Sequence, residues 1–389
     1  MNITPINNHY TTFRQNTNVN KNNTNNFSSK ESHINKLAFL TTLGLIGATT
    51  LLMFDRTSKT RLEKLLVSNK NEEKAFLHDN DVSFEIQSLK NNKNIKSIDE
   101  LSGLSELKNF AKKLEILQNN KAVMQEHNAQ DFSSILLWGV PGTGKTSAAM
   151  GIAKKLDADF VKLDKDIFDS SFVSEGPRQL SKYLDIIKNH ANKNPDKKIV
   201  IFMDEIDGTI SVDNGYNNRH SEDLINVMKN SITKLQQECK NVIFIGATNK
   251  DPNGIKSDNA SVKLNNAILS RFNYQFELKL PEKDAILDYW TKLIKTESGK
   301  EKFNSKQNEK ISKTFEELGM SYRDIKNISN KLNIEDAIEF CQKGSYNSKK
   351  NLIKVLKNDE KIGYDHINKK NMDKKKKEQI IKKLENDFY

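Results

Sequence analysis

Cysteine is scarce in this sequence of 389 residues, which contains only Cys239 and Cys341. Two cysteines cannot build a disulfide framework, and they fit a reducing compartment, where thiols usually only pack. Histidine offers no zinc-protease pattern either, because the seven histidines are scattered and none lies in an H-E-x-x-H sequence. Apolar residues make up 36% of the chain, and the length allows roughly two domains of about 150 residues.

Net charge is nearly absent from the bulk of the chain. The formal net charge is +11, of which residues 1–36 carry +3, residues 55–70 carry +3 and residues 366–389 carry +4. Residues 71–365 therefore carry only +1. A nucleic-acid-binding core needs a basic face on the folded part, so this distribution argues against a nucleic-acid partner.

An uncharged apolar run, residues 37–54, follows an asparagine-rich start. Ten of the first thirty residues are asparagine, so residues 1–36 are predicted to be a disordered, solvated tail, with a short targeting or docking role as the alternative. As a helix the run would span about 27 Å, close to the hydrocarbon thickness of a bilayer. It predicts a transmembrane helix, with a buried core helix or a cleaved signal peptide as alternatives.

Basic residues beside the apolar run predict its orientation. Four lie within 15 residues after the run and two within 15 residues before it: Arg56, Lys59, Arg61 and Lys64 against Lys30 and Lys36. Cytoplasmic flanks carry the excess of lysine and arginine, so the C-terminal side is predicted to be cytoplasmic. We therefore expect a single-pass membrane protein with its folded part in the cytoplasm.

The remainder of the chain has the pattern of an α/β domain followed by a helical one. Residues 55–92 are polar and are expected to form a helical linker. Five short apolar stretches, separated by helix-periodic segments, then predict a parallel sheet with helices on both faces: Ser134–Trp138, Asp159–Leu163, Lys198–Met203, Val242–Ala247 and Gln275–Leu280. The predicted domains are an α/β domain at 93–281, a helical domain at 282–345 and a basic C-terminal tail at 346–389.

The lysine-rich end of the chain is expected to be a frayed basic helix. Ile380, Ile381 and Leu384 lie at helical spacing among the lysines of residues 366–389. A solvated charged face is the favoured interpretation, and a membrane-surface or partner helix is the alternative.

The strongest chemical signal is the octapeptide Gly139-Val140-Pro141-Gly142-Thr143-Gly144-Lys145-Thr146. It matches the phosphate-binding pattern G-x-x-x-x-G-K-[ST] and follows a predicted strand. Glycines let backbone N–H groups surround phosphate oxygens, and the following helix directs its positive end at them. The lysine is expected to reach the β- and γ-phosphates, and Thr146 to hold Mg²⁺. The nucleotide-binding candidates here are Pro141, Gly142, Thr143, Gly144, Lys145, Thr146 and Ser147.

Two further strands end in polar residues that suit hydrolysis. The strand Lys198–Met203 is followed by Asp204, a candidate Mg²⁺ ligand, and by Glu205, a candidate for orienting and deprotonating the attacking water. The strand Val242–Ala247 leads to Asn249, whose neutral side chain could hydrogen-bond the γ-phosphate or the water. ATP and Mg²⁺ are therefore the predicted cofactors.

Together these motifs resemble the AAA family of ring-forming ATPases over about residues 95–340. The resemblance implies a P-loop parallel sheet, the large domain, followed by a small helical lid. It also implies that Gly103 and Leu104 meet the adenine base, and that homo-oligomers, in the family hexamers, form the active ring. The sequence lacks the zinc protease motif of the membrane AAA proteases, so the chain is not expected to cut its substrate.

Three other segments resemble AAA elements with departures. Phe172 and Val173 align with the pore loop that grips polypeptide, with an ordinary core position as the alternative for the phenylalanine. Arg271 resembles the arginine that enters the neighbouring subunit's site, although the usual second arginine is missing, and a surface ion pair is the alternative. Arg323 resembles a lid arginine near the γ-phosphate, and Tyr322 stands where glycine is usual.

These observations predict a membrane-anchored AAA ATPase that couples ATP hydrolysis to protein unfolding, extraction or remodelling. An ATP-binding scaffold with little hydrolysis and a nucleic-acid remodelling ATPase are the alternatives.

Overall fold

The computed structural model describes residues 74–79, 82–127, 134–164, 175–207, 218–252, 266–295, 301–359, 362, 364–365 and 370–388. All of them belong to one unit of the chain, residues 71–389. None of the helices in these ranges has the length and apolar character needed to cross a membrane. The predicted tail at 1–36 and the predicted transmembrane helix at 37–54 lie outside the described residues.

A seven-stranded sheet forms the centre of the α/β domain. Its order is β1-β2-β4-β5-β6-β3-β7, and the pairs among β3 to β7 are all parallel. The strands are β1 Lys74–Asp79, β2 Val82–Ser88, β3 Ser134–Trp138, β4 Asp159–Leu163, β5 Ile199–Met203, β6 Val242–Thr248 and β7 Tyr274–Glu277. The predicted parallel sheet is confirmed, and its five strands lie where the apolar stretches are.

Helices cover both faces of the sheet because the strand residues alternate between two apolar clusters. In β3, Ile135 and Leu137 join one cluster with residues of α1 and α3, whereas Leu136 joins the other with residues of α4 and α5. The helices of this domain are α1 Ser105–Asn119, α2 Lys121–Glu126, α3 Lys145–Lys155, α4 Glu175–Lys193, α5 Asn218–Glu238 and α6 Asn266–Leu269. A 3₁₀ turn at Ile98–Glu100 precedes α1.

The expectation of a helical linker at 55–92 is wrong for its second half. Strands β1 and β2 form an antiparallel hairpin, and β2 pairs with the start of β4 through Gln87–Phe160 and Ser88–Asp159. The sequence of β2, VSFEIQS, alternates apolar and polar residues, which is the period of a strand. Its Ile86 is buried in the core cluster of α4 and α5. The hairpin therefore extends the edge of the sheet.

The helical domain extends to residue 388, so both the predicted end of the lid at 345 and the predicted basic tail at 346–389 are wrong. Its helices are α7 Lys283–Ile294, α8 Ser305–Glu317, α9 Tyr322–Lys343, α10 Ser348–Asn358 and α11 Lys374–Phe388. Two antiparallel strands of two residues each, β8 Tyr364–Asp365 and β9 Lys370–Asn371, lie between α10 and α11. The apolar face of α11, formed by Ile381, Leu384 and Phe388, is buried in the lid core. The lysines occupy the opposite face, which is why the segment has the composition of a tail.

Candidate active site

The carboxyl edge of the sheet assembles most of the predicted site. Strands β5, β6 and β3 are neighbours, so the residues after β5 and the loop after β3 meet across the end of β6. The hydroxyl of Thr146 donates a hydrogen bond to Asp204 Oδ2 at 3.0 Å. Thr146 lies in the first turn of α3, after β3, and Asp204 directly follows β5, so the two residues are 58 positions apart in the chain. Their hard oxygen atoms are the type of ligand that Mg²⁺ prefers, so the donor set fits this ion.

The loop between β3 and α3 wraps around the side chain of Lys145. This lysine is buried, and its Nζ donates to the carbonyl oxygens of Gly139 at 2.7 Å and Val140 at 3.1 Å. Burial lowers the pKa of Lys145 to about 8; the charge of Arg323 also lowers it, and that of Asp204 opposes the shift. An ammonium held at a helix N-terminus under these conditions is stabilised by anionic phosphate.

Glu205 has a strained backbone. Its φ is +49°, a left-handed conformation that residues other than glycine, asparagine and aspartate rarely adopt. The backbone N–H of Glu205 donates to Asp204 Oδ1 at 3.0 Å, and the side chain is exposed. The turn therefore fixes both carboxylates at the edge of the sheet, one toward Thr146 and one into solvent.

The end of β6 is tied to the segment after β5. Ile206 N–H donates to Ala247 O at 2.9 Å, and Thr248 Oγ1 donates to Asp207 Oδ1 at 2.9 Å. Asn249 follows directly and is exposed. Because β6 lies between β5 and β3, Asn249 is placed at the same edge as the loop and Glu205.

A cavity of about 80 Å³ lies beside the loop, between the α/β domain and the lid. Thr143, Gly144 and Ser147 line one side, and the lid contributes Tyr289 and Tyr322. The rest of the lining comes from the segment before α1: Lys96, Glu100, Leu101, Ser102 and Leu104. No motif or local pattern in the sequence marks Tyr289, which reaches the cavity only through tertiary packing of the lid. The second tyrosine was visible only as a departure from the expected glycine.

The lid lies directly against the phosphate-binding loop. The N–H of Arg323 donates to Gly142 O at 3.3 Å. A Cβ on Gly142, whose φ is +82°, would come within 2.5 Å of Ser321 Oγ, so the close approach of the lid requires glycine here. The first turn of α9 thus places Arg323 next to the loop, close enough for its charge to act on Lys145.

Comparison with known proteins identifies the domain that holds these residues. Residues 135–280, from β3 through β7, match the family model "ATPase family associated with various cellular activities (AAA)". This part of the chain is an AAA ATPase domain. The chemistry of such a domain is ATP hydrolysis, as in relatives that are named nucleotidases.

Curated relatives extend the similarity beyond this domain. The chain is 26% identical over 282 residues to a proteasome-activating nucleotidase of Saccharolobus solfataricus, a match that covers 66% of this chain and 64% of the relative. It is 30% identical over 168 residues to cell division protein C of Sulfolobus acidocaldarius, with 41% of each chain covered. It is 29% identical over 195 residues to a putative 26S proteasome regulatory subunit homolog of Methanothermobacter marburgensis, of which 46% is covered. The chain thus spans less than two thirds of each of these relatives.

Among the described residues, Arg271 is a predicted site residue that the AAA domain does not bring to the others. Its carbonyl oxygen accepts hydrogen bonds from Ser134 Oγ at 2.5 Å and Gln236 Nε2 at 3.0 Å. Ser134 begins β3, whereas the phosphate-binding loop follows the end of β3, and five strand residues span about 13 Å. Arg271 therefore lies at the opposite edge of the sheet from Lys145 and Glu205. Its Nε is buried without a hydrogen-bond partner among the described residues.

The structure describes some of the remaining predicted positions and leaves others outside its described ranges. Phe172 and Val173 lie outside the described residues. Ile268, one of the positions where a second arginine is usual, is fully buried in the core of the AAA domain. A charged side chain at that position would have to be buried in the apolar core, which carries a large desolvation cost. Gly103 and Leu104 lie beside the cavity between the domain and the lid.

Proposed function

We propose that this protein is a membrane-anchored AAA ATPase that couples ATP hydrolysis to the unfolding, extraction or remodelling of proteins. The observation that carries the proposal is the meeting of Thr146, Asp204 and Lys145 at one edge of the sheet, with Arg323 of the lid beside the same loop. This edge supplies positive charge for the ATP phosphates and oxygen ligands for Mg²⁺.

Each residue of the site has a role in hydrolysis that follows from its charge and its position. Lys145 and Arg323 place positive charge where the β- and γ-phosphates bind, and Thr146 and Asp204 would hold Mg²⁺, which neutralises phosphate charge when it is bound. Glu205 orients the attacking water and accepts its proton, and Asn249 hydrogen-bonds the water or the γ-phosphate without adding charge. The exposed position of Glu205 leaves its carboxylate accessible to that water.

The position of Arg271 supports a site that is shared between two subunits. Since its backbone lies at the far edge of its own sheet, its side chain serves a site on a neighbouring copy in this proposal, as expected for a head-to-tail ring such as a hexamer. An arginine supplied in this way stabilises the transition-state charge and is worth about 10³–10⁵ in rate. The missing second arginine makes the whole of this contribution depend on one side chain.

Subunit mixing tests this arrangement. Arg271→Ala and Glu205→Gln variants are each expected to be inactive, because every site in either ring lacks one component. In an equimolar mixture, some Glu205 sites receive Arg271 from the other variant, so about a quarter of wild-type turnover returns if subunits mix randomly. Failure of the mixture to regain activity, under conditions where subunits exchange, would contradict a shared site.

A polypeptide substrate is proposed from the names of the relatives and from the resemblance of residues 171–178 to a pore loop. Of the relatives reported above, one is named a proteasome-activating nucleotidase and one a putative 26S proteasome regulatory subunit homolog. Phe172 supplies the aromatic grip in this proposal. Phe172→Ala is expected to abolish ATP-dependent unfolding of a test protein while ATP turnover continues. Full unfolding activity in this variant would contradict threading.

Membrane anchoring rests on the 18 uncharged residues 37–54 and on the basic residues after them. Deletion of residues 37–54 is expected to release the protein from membranes under conditions where the intact chain resists extraction by high salt and alkaline carbonate. Extraction of the intact chain by those treatments would remove this part of the proposal.

One similarity favours a second candidate, nucleic-acid remodelling. The chain is 28% identical over 156 residues to the replication-associated recombination protein A of Haemophilus influenzae, of which 28% is covered. The near-neutral charge of residues 71–365 opposes this candidate. Salt-dependent DNA binding by a full-length variant with neutralised lysines in residues 366–389 would favour it.

A further inference from the structure

Ser102 is held at two points by the lid. Its hydroxyl donates to Asp288 Oδ2 on α7 at 2.7 Å, and its carbonyl oxygen accepts from the hydroxyl of Tyr322 on α9 at 2.8 Å. Ser102 is only 5% exposed, so water has little access to its hydroxyl and carbonyl groups, whereas the Asp288 carboxylate is partly exposed and also accepts from Lys292 Nζ at 2.6 Å. Two different lid helices therefore hold one residue of the base-binding segment, residues 101–104.

The residues that follow Ser102 have a strained backbone. Gly103 has φ +67° and Leu104 has φ +59°, so two consecutive residues are left-handed and the second carries a branched side chain. Such a conformation is unfavourable for a residue other than glycine and persists only where its surroundings determine it. The two bonds to Ser102 are contacts that hold this segment from outside its own domain.

The hydroxyl group of Tyr322 lies directly beside Gly103. A Cβ on Gly103 would come within 2.7 Å of the hydroxyl oxygen of Tyr322 and within 3.1 Å of Ala285 Cβ. The phenol thus fills the space that a side chain at residue 103 would need. Burial raises the pKa of Tyr322, so the hydroxyl keeps its proton and donates across the physiological pH range.

The same tyrosine forms a wall of the cavity beside the phosphate-binding loop. The rings of Tyr289 and Tyr322 meet edge to face, with centroids 4.9 Å apart. Both line the cavity together with Leu101, Leu104 and Ser147. A purine base that extends from phosphates on Lys145 would occupy this cavity, so any change in the lid angle moves two of its aromatic walls.

We propose that Tyr322 is a positioning residue whose hydroxyl, together with the Ser102–Asp288 bond, locks the lid to the base-binding segment and so sets how long a nucleotide stays bound. The proposal rests on the nucleotide site of the proposed function. The lock joins the two parts of the chain between which the base lies, so release of the base requires the lock to open. Loss of one bond therefore accelerates release.

Release of a fluorescent ADP analogue from the full-length protein tests the lock. Tyr322→Phe removes one hydrogen bond and keeps the ring, and Ser102→Ala removes the other bond. Each is expected to accelerate release about two- to tenfold, the factor that one ordinary hydrogen bond is worth, and to raise KM for ATP by a similar factor. Tyr346→Phe is the matched control, because it removes a phenol hydroxyl from a lid residue that does not line the cavity and that follows the C-terminal end of α9, whereas Tyr322 begins this helix.

Gly103→Ala gives an independent test of the same contact. Combined with Tyr322→Phe, it is expected to accelerate release by less than the product of the two single effects, since the oxygen that its methyl group meets is gone. A simple product of the two effects would contradict the contact.

The outcomes separate this proposal from the one on which it rests. In one outcome the wild-type protein binds the ADP analogue, but the Tyr322→Phe and Ser102→Ala variants release it no faster than the Tyr346→Phe control. The lock is then refuted and the nucleotide site stands. If the wild-type protein binds no analogue, the nucleotide site is refuted and the lock with it.

Discussion

The backbone strain at Glu205 predicts a substitution that stabilises the protein while it removes hydrolysis. Glu205 has φ +49° and an exposed side chain. Asparagine adopts this left-handed region more readily than glutamate or glutamine, because its short side chain hydrogen-bonds locally. Glu205→Asn is therefore expected to relieve strain, whereas Glu205→Gln keeps it. Both substitutions remove the proposed base for the attacking water.

The expected gain is about 1 kcal/mol, the lower end of the cost of a left-handed non-glycine residue. For a domain of 150–250 residues this corresponds to a rise in Tm of about 2–4 °C. The assay is thermal unfolding of the full-length protein beside its ATP turnover. Glu205→Gln is the matched control, because both variants lose the same negative charge next to Asp204.

The difference in Tm between Glu205→Asn and Glu205→Gln tests whether strain is held at residue 205. Both are expected to be inactive, and Glu205→Asn is expected to unfold at the higher temperature. Equal Tm values for Glu205→Asn and Glu205→Gln would refute the argument that strain is held at this position. ATP turnover in Glu205→Gln at the wild-type rate would refute its role in hydrolysis.

Three further results are expected from the same structure. Gly142→Ala should weaken ATP binding at least tenfold in equilibrium titration, because its methyl group meets Ser321 Oγ and its φ is positive; wild-type affinity would contradict the close lid contact. Phe388→Ala should lower the free energy of unfolding of the lid by about 3–5 kcal/mol in urea titrations, since the ring is buried against Phe303, and unchanged stability would place α11 outside the lid core. Burial and Arg323 lower the pKa of Lys145 to about 8, and bound phosphates favour the charged form of this lysine, so ATP should bind with proton uptake and lose affinity as the pH rises through about 8. Calorimetry in two buffers measures the proton uptake, and an absence of uptake at about pH 8.5 would contradict the assignment of Lys145 to the phosphates.

The parallel sheet and most of the candidate site could be predicted from the sequence because their signals are local. Strands such as β5, IVIFM, are fully buried apolar runs that end directly in functional polar residues. The carboxyl ends of parallel strands share one edge, so the order of the motifs along the chain was enough to place Thr146 near Asp204.

The remaining features depend on contacts between distant residues. The bond from Tyr322 to Ser102 joins positions 220 residues apart, and no local pattern specifies it. Helix α11 showed its apolar spacing in the sequence, but its partners are on α8 and α10, so its lysines dominated the prediction. The strand β2 has only three strongly apolar residues in seven, which made it resemble a polar arm.

ATP turnover per subunit as a function of protein concentration tests the central claim most directly. The full-length protein is assayed for phosphate release across a wide concentration range, with Glu205→Gln as the blank. Since Arg271 lies at the far edge of its own sheet, turnover per subunit is expected to rise with concentration as subunits assemble and to vanish in the blank. Turnover that is independent of concentration down to the monomeric range, or that survives in Glu205→Gln, would contradict a site completed between subunits.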